Sequence, residues 1–314
     1  MRPSLEKIRQ LIPPLSQALH KGQAGSYAWS VRTRVYTGAP FFSAMSSMKL
    51  GADLAHVVCD PGAAIAIKVN LIVHPYMRTT SGLRRDESDQ DVMPHIVSLL
   101  ERLHVLVVGP GLSRDETMQC VARQTVAEAR KRNIPVVLDA DAIYMVQHHP
   151  DTVRGYRKAV LTPNVNEFKR LCEALDIPVP KPQDKDAAGQ LSRALGGVTV
   201  VQKGSVDVVV SPDTTYTCDV TGSPRRVGGQ GDVLSGLIAA FLAWGQAYQK
   251  KIWEHDGTIA EKEIIPLACY AACLMTRECA QEAFKQHRRA MLASDMLAHI
   301  GGVFDRLFSE PPHL

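Results

Sequence analysis

No stretch of this 314-residue chain reaches the roughly 18 consecutive apolar residues that read as a membrane-spanning helix, so none is expected. The N-terminus, MRPSLEKIRQLIPPL, lacks the apolar centre of a secretory signal. It carries Glu6, which counts against a mitochondrial presequence while leaving that destination open. The seven cysteines are odd in number and without CxxC spacing, which argues against a disulfide frame and for reduced thiols in the cytoplasm. Excess charge is missing too. Thirty-six Lys and Arg against 32 Asp and Glu leave +4, too little to suggest a nucleic-acid partner, though small anions remain open. There is no internal repeat and no low-complexity tract. What is present, 45% hydrophobic and 22% charged residues, is an ordinary globular mix. We expect one domain over 1–314, with an amphipathic N-terminal helix over 1–20, a polar insertion near 246–262 and C-terminal helices over 263–310. A homo-oligomer is compatible with this composition.

Short apolar runs alternate with helical patterns along the chain. Strands are expected near His56–Cys59 and Leu71–His74, then at Val105–Val108, Val136–Leu138, Ala159–Leu161 and Val198–Gln202. Val206–Val210 and Thr215–Asp219 read as an antiparallel pair around Ser211-Pro212-Asp213. Helices are expected before His56, over Glu116–Lys131, after Asn164, over Asp184–Leu195 and beyond Leu234. Cys269 and Cys273, four apart on one of the last helices, read as small core residues. This alternation implies an α/β fold with a doubly wound, mostly parallel sheet and helices on both faces. Ligands then belong at the C-terminal strand ends, which carry GPGL, DAD, TPN and QKG.

The chain is organised around TGSPRRVGGQGDVLSGLIAAFLAW, residues 221–244. Gly228, Gly229 and Gly231 open a helix whose first N–H groups suit a phosphate. Asp232 does not help an anion bind. It reads as a general base beside a phosphoryl-transfer site, or as a plain first-turn acid. Arg225 and Arg226 are candidate phosphate clamps or surface residues. Asp139 and Asp141 read as caps of the following helix, with metal binding the alternative. Asn164 and Glu167 form a capping-box pattern that could also orient waters around Mg²⁺. Lys203-Gly204 could place a cation near a nucleotide, or the lysine could simply be solvated.

GPGLSRD, VVLDADAI, LTPNVNEF, VTVVQKGSVD and GSPRRVGGQGDVLSG, in that order, resemble the ATP-dependent NAD(P)H-hydrate dehydratases of eukaryotic type. That family belongs to the ribokinase-like superfamily, and its bacterial relatives use ADP. The resemblance runs from about His20 to Trp244. It implies phosphorylation of the ring hydroxyl of the (S)-hydrate of NADH or NADPH by ATP, with Mg²⁺, followed by elimination of phosphate. By position it implies that Gly111 and Asn164, Val165, Asn166, Glu167, Phe168, Lys169 and Arg170 bind the hydrate. Lys203, Gly204, Ser205, Val206 and Asp207 would hold ATP. So would Gly222, Ser223, Pro224, Arg225, Arg226, Val227, Gly228, Gly229, Gln230 and Gly231. Asp232 would be the base and contact the hydrate, the N–H groups of the 229–232 turn would take transferred charge, and Asn164 and Glu167 would position Mg²⁺ through water. A kinase of the same fold that leaves phosphate on its product, and an inactive nucleotide-binding relative, are the competing readings.

The resemblance lapses at Ser26–Val35, SYAWSVRTRV, where the family has a strand ending in a glycine pair, and at the short Lys68-Val69-Asn70. Divergence and a short change of reading frame both account for it. Burying Arg32 or Arg34 unpaired would cost several kcal/mol. We therefore expect 26–35 to be irregular or edge-like, with no glycine loop over the substrate.

Overall fold

The computed structural model describes residues 1–15, 26–30, 37–67, 71–77, 92–178 and 186–309. Its centre is a nine-stranded sheet in the order β3-β2-β1-β4-β5-β6-β7-β8-β9. The strands are β1 Ser26–Ser30, β2 Leu54–Val58, β3 Ile72–His74, β4 Val105–Val108, β5 Val136–Leu138, β6 Ala159–Leu161, β7 Thr199–Gln202, β8 Asp207–Val210 and β9 Thr215–Cys218. Every pairing from β3 across to β7 is parallel, and β8 and β9 close one edge antiparallel. Strands covered on both faces need apolar residues at odd and even positions alike. In β4, Val105 and Val107 face one core, and Leu106 and Val108 face the other.

The helices are α1 Leu5–Arg9, α2 Gly38–Leu50, α3 Pro61–Ile67, α4 Met93–Leu100, α5 Glu116–Lys131, α6 Asp141–His148, α7 Val165–Ala174, α8 Ala187–Ala194, α9 Gln230–Gln249, α10 Glu261–His287 and α11 Ala293–Phe308. Helix α9 is buried from Val233 to Gly245 without a break, so it is apolar around its whole circumference and forms the spine of one core. It meets α2 across small residues. The Ser43 and Ser235 hydroxyls are 2.7 Å apart, and the Ser46 hydroxyl donates to the Val233 carbonyl at 3.1 Å. Cys269 and Cys273 are fully buried in the same core, as expected. Among the described residues, no helix is long and apolar enough to cross a membrane.

Three expectations are corrected. The N-terminal helix is only Leu5–Arg9, because Pro13 and Pro14 lack the N–H groups that would extend it; residues 16–20 lie outside the described residues. The 246–262 insertion is shorter than expected, since Gln246–Gln249 complete α9 and Glu261 already starts α10. Most important, residues 26–30 are an interior strand, paired on one side with β2 and on the other with β4. Its pairing on both sides, in register with Leu54–Val58 and Val105–Val108, gives Ser26–Ser30 the central place that its own mixed pattern does not announce; Arg32 and Arg34 lie outside the described residues. Residues 31–36, including the expected lack of a glycine loop, and residues 68–70 lie outside the described residues.

Candidate active site

Four parallel strand ends set the site. The Asp139 N–H donates to the Val108 carbonyl, the Thr162 N–H to Leu138, both at 3.0 Å, and the Lys203 N–H to Pro163 at 3.0 Å. These bonds carry the sheet pattern past the last strand residues and hold GPGL, DAD, TPN and QKG side by side. Gly109 could not be anything larger: at φ 121°, a Cβ there would lie 1.6 Å from the Asp139 carbonyl oxygen. Gly111 is buried at the same strand end with φ 71°, outside the lining of the large cavity described next.

That cavity, about 1040 Å³, opens over β5, β6 and β7. It gathers Asn164, Val165, Asn166, Glu167, Lys203, Gly204, Ser205 and Asp207 from the strand ends. From the glycine stretch come Gly222, Ser223, Pro224, Arg226, Val227, Gly228, Gly229, Gln230, Gly231 and Asp232. Other expected residues stand away from it. Phe168 packs in the core beneath α7, Lys169 points to solvent beside Glu173, and Arg170 is exposed. Val206 and Arg225 are also outside the lining, and the Arg225 guanidinium donates to the Met291 carbonyl at 3.1 Å. Arg226 alone of the pair faces the cavity.

At the cavity floor, Asp139 is 2% exposed and its Oδ1 accepts from the Thr162 hydroxyl at 2.7 Å and from Lys203 Nζ at 2.8 Å. Lys203 is therefore ion-paired rather than solvated. Burial works against its ammonium, but Asp139 and Glu167 outweigh that and leave its pKa above the ordinary lysine range. Neither aspartate of DAD caps α6. Ala140 holds the cap position at φ 49°, a strained conformation that leaves the Asp139 carboxylate with Thr162 and Lys203. Asp141 accepts from the Ser113 N–H at 2.8 Å and so braces the GPGL loop.

The capping box at α7 is complete. Asn164 Oδ1 accepts from the Asn166 and Glu167 N–H groups, and Glu167 Oε2 accepts from the Asn164 N–H at 2.8 Å. Burial pushes the Glu167 carboxyl up, opposed chiefly by Lys203. One Glu167 oxygen is thus spent on the cap.

Helix α9 begins where Gly229, at φ 99°, turns the chain. Its first hydrogen bond runs from the Val233 N–H to the Gly229 carbonyl at 2.9 Å. Among the described residues, the N–H groups of Gln230, Gly231 and Asp232 have no acceptor, which leaves them available to an anion. Asp232 is held at this turn, and among the described residues no donor reaches its carboxylate. Burial, reinforced by Asp139 and opposed by Lys203, pushes its pKa up to about 7. It also lines a smaller recess of about 300 Å³ with Thr37, Gly38, Ala39, Phe42, Gly228 and Gly229. Asp232 therefore lines both cavities.

Sequence inspection missed the wall from α10. Arg277 lines the large cavity with Thr276 and Ala280. Its guanidinium donates to Asp207 Oδ2 at 2.7 Å and to the carbonyls of Ser205, Val220 and Gly204. It ties the β7–β8 turn to the segment after β9. Nothing local marks that role, because its partners lie 57–73 residues earlier.

The family described as NAD(P)H-hydrate dehydratase matches residues 33–301. Relatives named ATP-dependent (S)-NAD(P)H-hydrate dehydratase include one from Phaeosphaeria nodorum, 41% identical over 98% of this chain and 95% of the relative. Another, from Neurospora crassa, is 43% identical over 98% and 94%. Among solved structures, a ribokinase-like superfamily protein from Enterococcus faecalis superposes with TM-score 0.77 at 20% identity, covering 98% of this chain and 96% of that one. An ADP/ATP-dependent NAD(P)H-hydrate dehydratase from Bacillus subtilis, co-crystallised with ATP and Mg²⁺, gives 0.68 at 21% identity and 97% of both chains. These likenesses establish the ribokinase-like fold. The family match over most of the chain, with fungal relatives above 40% identity, shows that the chain belongs to the NAD(P)H-hydrate dehydratase family.

Proposed function

We propose that this protein restores NADH and NADPH from their (S)-hydrates at the expense of ATP. The observation that carries the reading is Asp232, a proton acceptor with a pKa near 7 lining both cavities, beside three unused N–H groups. The triphosphate lies over the glycine turn, between Lys203–Asp207 and Gly222–Gly231. The hydrate approaches Asp232 with Asn164, Val165, Asn166 and Glu167 as its further supports; Phe168 contributes by packing α7 rather than by contact. Asp232 takes the proton of the ring hydroxyl as its oxygen attacks the γ-phosphorus and ADP departs. The N–H groups of Gln230, Gly231 and Asp232 stabilise charge on the transferred phosphoryl group. Phosphate then leaves with the C–O electron pair, the ring-nitrogen lone pair supplies the push, and a proton is lost from the neighbouring carbon. The dihydropyridine is restored.

The donor set fits Mg²⁺ held through water. The Asn164 amide oxygen and the Glu167 carboxylate, both on the cavity wall, are hard oxygen donors of the kind its waters take. Among the described residues no three acids, histidines or cysteines converge closely enough to cage an ion directly. Asn164 and the uncapped Glu167 oxygen would orient its waters, and bound Mg²⁺ would offset charge on the phosphates.

The test is to incubate the protein with NADH hydrate, ATP and Mg²⁺. We expect dihydronicotinamide absorbance to return, with one free phosphate per ring restored. A phosphorylated product without that return would instead identify an ordinary kinase of this fold. ATP binding without turnover would identify an inactive relative.

A further inference from the structure

The Lys203 ammonium stands next to Asp232 yet does not pair with it. Its Nζ lies 3.3 Å from where a Cβ on Gly231 would be, one residue from the base. Its hydrogen bond goes to Asp139 instead, at 2.8 Å. That choice is built in. Asp139 is almost fully buried and held by the hydroxyl of Thr162, itself fully buried, while the Lys203 backbone is pinned to Pro163. A carboxylate placed this deeply could reach neither bulk solvent nor the mouth of the cavity, so its work is on its neighbours.

We propose that Asp139 is a positioning residue for the reaction: it holds the Lys203 ammonium away from Asp232, so that the base keeps an unpaired carboxylate. The inference rests on Asp232 acting as the base. Without Asp139, the anions left facing Lys203 are Asp232 and Glu167. An ammonium beside Asp232 would favour its charged form and weaken it as a proton acceptor. The charged groups acting on Asp232 are Asp139 at the end of β5 and Lys203 at the end of β7. The other charged residues of the cavity lining are Glu167 on α7, Arg226 ahead of α9, Asp219 after β9, and Asp207 on β8, which is ion-paired with Arg277 of α10. Helices α2 and α11 reach the glycine turn through Phe42 and Ala293, which carry no charge. Asp139 thus acts twice in the same sense, by its own charge and by occupying the lysine.

Asp139→Asn keeps the shape and the Thr162 contact while removing the charge that holds Lys203. With NADH hydrate at saturating ATP, we expect it to lower the plateau rate about tenfold and move the acidic limb of the pH–rate profile down by about one pH unit. Lys203→Met should move the limb the other way. In the Lys203→Met background, adding Asp139→Asn should shift the limb less than half as far as it does alone, because no ammonium remains to misplace. Thr162→Val, which loosens one of the two bonds to Asp139, should give a smaller shift of the same sign and serves if Asp139→Asn folds poorly. Equal shifts in both backgrounds, or a limb that stays in place in Asp139→Asn and Thr162→Val, overturn the inference. A wild-type protein that binds ATP but restores no NADH overturns the dehydratase reading instead.

Discussion

Gly229 and Gly231 stand two positions apart in one turn and are glycine for different reasons. At Gly229 the backbone has φ 99°, and a Cβ would meet the Ala293 Cβ at 2.6 Å and the Phe42 ring at 3.0 Å. That position is closed by α2 and α11, so Gly229→Ala should destabilise the fold by about 1–3 kcal/mol and lower the melting temperature. At Gly231 a Cβ would point toward Lys203 Nζ and Asp139 Oδ2, into the cavity, with an ordinary backbone angle. Gly231→Val should melt near wild type and lose ATP affinity and rate together. Measuring melting and ATP titration on both variants separates the two. If Gly231→Val binds ATP normally, the turn does not cradle phosphate. Asp232→Asn keeps the size of the side chain and removes the proton acceptor. Turnover should fall by about 10²-fold or more with ATP affinity nearly unchanged; near-normal turnover would reduce Asp232 to a first-turn acid.

Helices α2 and α9 approach closely enough that Gly236 has no room for a methyl group: a Cβ there would lie 2.0 Å from the Ser46 hydroxyl and 2.1 Å from the Ser43 carbonyl. Since α2 also supplies Phe42 to the recess beside Asp232, Gly236→Ala should both destabilise the protein, by roughly 1–3 kcal/mol, and displace the wall of that recess. The expected result is a lower melting temperature with a raised KM for the hydrate; an unchanged melting temperature would show that the helices can part freely. Elements of this kind were legible in the sequence to different degrees. Strands β4, β5 and β6 begin and end where their apolar runs do, because each is buried on both faces and bounded by polar residues, Gly or Pro. The α7 cap was legible because a capping box is local to four residues. Strand β1 was not, since its central place comes from pairing with β2 and β4, which no local pattern in SYAWS declares. Arg277 and the Asp139–Lys203 pair were illegible for the same reason: both bridge segments more than 50 residues apart.

For the molecule as a whole, the buried base has a thermodynamic consequence that can be measured without any substrate. Asp232 titrates near its ordinary 3.8 when the chain is unfolded and near 7 when it is folded. Between those values the folded state holds a proton that the unfolded state has released. Stability from this group is therefore complete below pH ~4 and is lost as the pH rises toward 7. The difference of about three pH units corresponds to roughly 4 kcal/mol at most. His56 acts in the opposite sense. Burial, with His74 and Arg102 nearby, lowers it to about 4, so its share is present above pH ~6.5 and lost on acidification. Comparing wild type with Asp232→Asn cancels the His56 contribution, which both proteins share. The melting temperatures should nearly coincide at pH 4, diverge as the pH rises, and settle above pH 7 with the asparagine variant the more stable. A difference independent of pH would mean that Asp232 ionises freely in the folded protein, and the case for a base tuned near neutrality would fail with it. A widening gap accompanied by loss of turnover would mean that the fold gives up stability to keep a carboxylate ready for the hydroxyl proton.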